Sequence, residues 1–130
     1  MGTLLVDLVA WIIANGLATT DGVDIFRDFT PASPDNVKVL HEYDSMLSPY
    51  KGNEAAVRYV QISVRHTSPS TAKSTCDSLF NLFMTPEENF TTLPSGRVIL
   101  SSPKNSPFRF NADQARTTYA FNVAITTNTD

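Results

Sequence analysis

The sequence is poor in the residues that build cross-linked or phosphate-binding domains. Cys76 is the only cysteine in 130 residues, which excludes an internal disulfide framework and a cysteine-based metal site. Five glycines leave little material for a phosphate-cradling loop, and no glycine-rich loop of that kind or Gly-x-Ser-x-Gly elbow occurs. Lys and Arg number 10 against 13 Asp and Glu, a formal net charge of −3, so the basic excess of a protein that grips the DNA backbone is missing. Long apolar runs are missing as well. The one candidate, Leu4 to Ile13, is interrupted by Asp7, is preceded by no positive side chain and is too short to span a bilayer. A signal peptide is therefore not expected, and the reading is a soluble protein made in the cytoplasm.

What is present suits one folded domain spanning residues 1–130. Hydrophobic residues make up 42% and charged residues 18%, a mix able to bury a single core but too small for two. Charge is spread unevenly. Residues 1–44 carry seven acids and two bases, a net of −5, whereas the remainder carries six acids and eight bases, a net of +2. Such ends can meet head-to-tail between identical subunits, although solvated loops and outer faces account for most charge patterns of this kind.

Leu4, Leu5, Leu8, Val9, Trp11, Ile12 and Ile13 recur at helical spacing, with Asp7 and Asn15 falling away from the main stripe, and Asn15-Gly16 supplies a helix end. Val23 to Phe29 and Val37 to Tyr43 predict two strands of a hairpin around the turn-rich stretch 31–36. Ala56 to His66 is the clearest strand. Val60, Ile62 and Val64 point one way, and Tyr59, Gln61, Ser63 and Arg65 point the other, giving one core face and one polar face. Ser68-Pro69 then provides an N-cap and a first-turn proline for a helix whose stripe is Ala72, Cys76, Leu79, Phe80 and Phe83, with Pro86 ending it. Arg97 to Ser101 and Thr117 to Thr127 predict the last two strands. The expected fold is α+β, an antiparallel or mixed sheet of about five strands with two helices packed on one face.

Two stretches read as long loops, 45–54 and 103–116. Their large side chains, Met46, Leu47, Tyr50 and Lys51 in the first and Phe108, Arg109, Phe110 and Arg116 in the second, are the candidate partner-contacting residues. For the first stretch the alternative is that its apolar side chains fold back on their own domain. His41 and His66 lack the spacing of a metal pair, and Cys76 sits on a core stripe without a neighbouring base. Arg65 and Arg116 suit either a subunit interface or open solvent. No catalytic constellation emerges, and no cofactor is implied.

The run Val57-Arg58-Tyr59-Val60-Gln61-Ile62-Ser63-Val64-Arg65-His66, the helix from Ser70-Thr71-Ala72-Lys73 to Leu79-Phe80-Asn81-Leu82-Phe83, and the closing run Arg116-Thr117-Thr118-Tyr119-Ala120-Phe121-Asn122-Val123 resemble the tail-terminator and minor capsid (tail-completion) family of long-tailed phages of Gram-positive bacteria. The likeness follows the order of elements over nearly the whole chain. One departure is Asp113-Gln114-Ala115-Arg116, where members often have an Asp-x-Gly-Arg-type turn. The resemblance implies a non-enzymatic virion protein, assembled in the host cytoplasm. It would form a hexameric ring on the head-proximal end of the tail tube, ending tube growth and receiving the head connector. Its partners would be further copies of itself, the tail tube protein and a connector or head-completion protein. DNA would pass through the channel without specific binding, and no membrane is involved. Another neck component, and a small ligand-binding α+β domain with an apolar pocket between helices and sheet, are the competing readings; a hydrolase would need a nucleophile–base pair.

Overall fold

The computed structural model describes residues 3–47, 55–84, 90–113 and 115–128. The chain begins with helix α1 (Leu4–Ala14). Thr3 caps its start, its hydroxyl accepting from the Val6 amide at 3.4 Å. Its end is a Schellman turn: the Gly16 amide donates to the Ile13 carbonyl and the Leu17 amide to the Ile12 carbonyl, with Gly16 at φ +75°. The left-handed residue there is glycine, as the Asn15-Gly16 pair predicts.

Strands β1 (Ile25–Arg27), β2 (Val37–Leu47) and β3 (Ala55–His66) follow, then helix α2 (Pro69–Met84), and then β4 (Thr91–Thr92), β5 (Val98–Pro103), β6 (Phe108–Asp113) and β7 (Arg116–Asn128). They form a curled, mixed seven-stranded sheet in the order β1-β2-β3-β7-β5-β4, with β6 also pairing β7. The class is α+β, as expected, and the sheet is larger than the five strands expected. β5 and β6 run in the same direction beside β7, pairing with residues 123–127 and 116–120 respectively. They are two segments of one interrupted course. At the interruption, the Lys104 amide donates to the Asn122 carbonyl and the Asn122 amide donates to the Asn105 side chain.

Both helices pack on one face of the sheet. Alternate strand residues Leu40, Val60, Ile62, Val64, Phe121, Val123 and Ile125 are buried there against Leu4, Leu8 and Ile12 of α1 and Cys76, Leu79 and Phe83 of α2. Trp11 meets Phe83 edge-on at 5.2 Å between ring centroids, and Phe80 meets Phe121 at 5.5 Å. Each large apolar side chain buried this fully contributes about 1.5–3 kcal/mol. Ser68 caps α2 as the sequence indicates, its hydroxyl accepting from the Thr71 amide at 3.3 Å. Pro86, expected to end this helix, lies outside the described residues.

Asp7 is no interruption of the α1 stripe. It is buried with the apolar residues, and its carboxylate accepts from Arg97 Nε at 2.6 Å, while Arg97 Nη1 donates to Thr127 Oγ1 at 3.1 Å. Both charged side chains are almost fully enclosed, at 1% and 3% exposure for Arg97 and Asp7.

β1 and β2 are parallel neighbours rather than the expected hairpin. The connection between them returns over the end of the sheet, held by arginines from distant strands. Arg65 donates to the carbonyls of Pro34 and Asp35 at 2.7 and 3.0 Å, and Arg116 donates to the Ala32 carbonyl at 2.9 Å. The Thr67 amide adds a bond to the Asn36 side chain. A tight hairpin turn would leave these donors without those carbonyls.

Candidate functional site

The face of the sheet away from the helices is the part of the fold with unspent binding capacity. Strict alternation on β3 sends Tyr59, Gln61, Ser63 and Arg65 to this side, as the sequence indicates, and the register of β2 sets Val39 beside Ser63 and His41 beside Gln61. Phe26, Val37 and Val39 form a small buried cluster at one end of it. Phe29 stacks edge-on against Phe26 at 5.6 Å yet stays 61% exposed. On the other side of the face, Phe110 is 55% exposed and meets Phe108 at 6.3 Å. Tyr43, packed near Tyr59, is half exposed.

Between the segment 28–30 and Phe110 lies a recess of about 480 Å³. Its floor offers His41, Gln61, Ser63 and Thr118, and Arg65 contributes to its wall. Gln61 is steadied by Asn122, to whose side-chain oxygen it donates at 3.3 Å. Apolar rims above a hydrogen-bonding floor suit an apolar group with a polar edge. The Asp28 amide donates to the Leu40 carbonyl, and this residue takes a positive φ of 68°, which turns the chain at β1 toward the recess.

The sequence-predicted contact residues fall in three places. Met46 and Leu47 belong to the end of β2, not to a loop, because β2 continues to pair with β3 through Leu47↔Ala56. Tyr50 and Lys51 lie outside the described residues. Phe108, Arg109 and Phe110 form the start of β6, a correction of the loop expected over 103–116. Pro103 at the end of β5 and Pro107 within the four-residue break 104–107 hide a strand that is recognisable only through its pairing with β7. Arg116 starts β7 and binds within the chain, to the Ala32 carbonyl and, at 3.5 Å, to Asp35. Arg65 is likewise used internally. The structure brings Phe110 and Arg65 together at the recess and adds Phe29, Val39 and Thr118, which the sequence did not single out. β1 lies within the strand expected over Val23 to Phe29, but its parallel pairing with β2 comes from contacts no local pattern encodes.

The reactive groups sit elsewhere. Cys76 is buried on the core-facing side of α2, and burial, helped by Asp77 and opposed by Lys73, pushes its thiol up to about 12. A thiol so far from ionising is a packing residue rather than a nucleophile. His66 Nδ1 accepts from the Ser68 amide at 2.9 Å and so helps start α2. Among the described residues no group of three or more His, Cys, Asp and Glu is placed to hold a metal ion, and no helix is long and apolar enough to cross a membrane. No protein-family model matches the chain, and no curated protein matches it.

Proposed function

We propose that this chain is a non-enzymatic virion component of the tail-terminator type: a ring, six copies in the particle, on the head-proximal end of a phage tail tube. The ring ends tube polymerisation and receives the head connector or a head-completion protein. The observation that supports this most is the one-sided build of the domain. Both helices cover one face of the sheet, while the other face leaves Phe29, Tyr43 and Phe110 half exposed or more. Aromatic side chains gathered on one open face mark a surface that other chains cover. The deficit of basic residues suits a channel that passes DNA without holding it. Another neck position on the same particle is compatible with the same surface.

A second reading rests on the recess, whose size is that of a small-molecule site. On that reading the protein is a monomeric or dimeric binder, and its site lies on the open sheet face instead of between helices and sheet. Sedimentation across a concentration series, with negative-stain images of each species and of mixtures with tail tubes, separates the two. Six-subunit rings, free or on tube ends, are the expected result. A chain that stays monomeric alone and with tubes refutes the ring reading and favours the small-ligand one.

A further inference from the structure

The recess on the open sheet face has aromatic walls and a polar floor, and that division selects a ligand. Strand order puts the walls at opposite ends: Phe29 follows β1 beyond β2, and Phe110 lies on β6 beyond β7. Both residues keep more than half of their surface open, at 61% and 55%. The floor between them belongs to β2, β3 and β7, through His41, Gln61, Ser63 and Thr118. Ser63 and Thr118 are short, so a space of about 480 Å³ stays open above them.

The hydrogen-bonding capacity of this floor is unspent. Gln61 donates to Asn122, which leaves its side-chain oxygen as an acceptor. Among the described residues no hydrogen bond engages the Ser63 hydroxyl, the Thr118 hydroxyl or the His41 ring. A hydroxyl both donates and accepts, as does a neutral imidazole through its two nitrogens. A ligand edge with a donor beside an acceptor satisfies such a floor, whereas an edge that only accepts uses half of it.

Charge and position narrow the class. Asp28 and Arg65 are the lining residues with a formal charge when His41 is neutral, and they cancel. Arg65 already donates to the Pro34 and Asp35 carbonyls, so it is no clamp for an anion, and Asp28 on the exposed rim repels one. A sugar ring rests its C–H face on an aromatic platform and spreads its hydroxyls outward. Here the aromatics stand at the sides and the polar groups lie beneath. That arrangement suits a flat ring entering edge first, with a face toward each phenyl group.

We infer that the recess binds a neutral, flat heterocycle of the nucleobase kind, its lactam edge on Ser63, Thr118 and Gln61 and its faces toward Phe29 and Phe110. This names the ligand class for the small-ligand reading given above and rests on that reading. The test is a titration of the ¹⁵N-labelled full chain, followed by amide shifts, with uracil and hypoxanthine as probes. Both move amides of β2, β3 and β7 around residues 39–41, 61–63 and 118 saturably, with Kd below about 1 mM. 1,3-Dimethyluracil, flat but without N–H donors, and 5,6-dihydrouracil, with the donors but not the flat ring, each bind at least about fivefold more weakly. Ser63→Val, which fills the floor, and Phe29→Ala, which removes a wall, each weaken uracil at least about fivefold while melting like wild type. Phe90→Ala, an equally exposed aromatic outside the recess, leaves the affinity unchanged. Equal binding of 1,3-dimethyluracil, or folded recess variants with wild-type affinity, overturns the inference. Recess amides moved by methyl glucoside or benzoate but by neither base overturn the ligand class and leave the small-ligand reading standing. Recess amides that no probe moves overturn both.

Discussion

Breaking the Asp7–Arg97 pair tests the account of the core most severely. The two groups are almost fully enclosed and in contact at 2.6 Å, with Thr127 as a further acceptor for the guanidinium. Asp7→Leu leaves a buried guanidinium without its carboxylate, and Arg97→Met leaves a buried carboxylate without its cation. Removing one partner of such a pair costs about 3–5 kcal/mol, because the survivor keeps its desolvation penalty and loses its attraction. At about 2.1 cal/mol/K of unfolding entropy per residue, a chain of 130 residues loses roughly 10–20 °C in Tm for that cost. The assay is thermal and urea unfolding of both single variants and of the double variant. The double variant, having no buried charge at either position, recovers most of the loss, so the two effects are strongly non-additive. Single variants that melt within about 3 °C of wild type, or a double variant whose loss equals the sum of the singles, refute the reasoning.

Three further outcomes follow from other parts of the fold. Ala115 sits at φ +63°, where a side chain is strained, so Ala115→Gly stabilises by about 0.5–1 kcal/mol, and a lower melting temperature contradicts that geometry. Burial raises the affinity of Asp24 for its proton, but the Thr20 and Thr19 amides and Lys38 outweigh it and hold the carboxyl below its ordinary value of 3.8. A depressed carboxyl stabilises the fold above its unfolded value and loses that contribution as pH falls through the lower folded one, so Asp24→Asn melts less stably near neutrality and shows a flatter loss in acid; an unchanged acid profile is the contrary result. Phe110→Asp keeps its melting temperature within about 2 °C, since the ring is 55% exposed, but on the ring reading proposed above it loses assembly or particle joining; normal infectious particles from the folded variant exclude this surface.

Legibility tracked the range of the signal. The β3–α2 unit was readable because alternation, the Ser68 cap and the helical stripe are all local, and the same holds for the Gly16 stop of α1. Asp7 was misread as an interruption because its partner lies 90 residues away, and only the fold brings Arg97 to it. The parallel β1–β2 pair was read as a hairpin for a similar reason: the segment between them is positioned by Arg65 and Arg116, about 31 and 84 residues from the carbonyls they hold. β6 escaped because six residues between a broken strand and a turn carry too little pattern to stand out from a loop. For the candidate surface, the polar side of β3 was legible, whereas Phe29 and Thr118 joined it through strand order alone.

Enclosure of the chain's only thiol has a practical consequence. With Cys76 buried between α2 and the sheet and its proton held to about pH 12, maleimides and disulfide reagents at neutral pH find no native target in the folded protein. The wild-type background therefore serves as a cysteine-silent scaffold, and a single cysteine placed anywhere on the open sheet face reports on that position alone. Delayed labelling of Cys76 itself, in turn, becomes a clock for opening of the core.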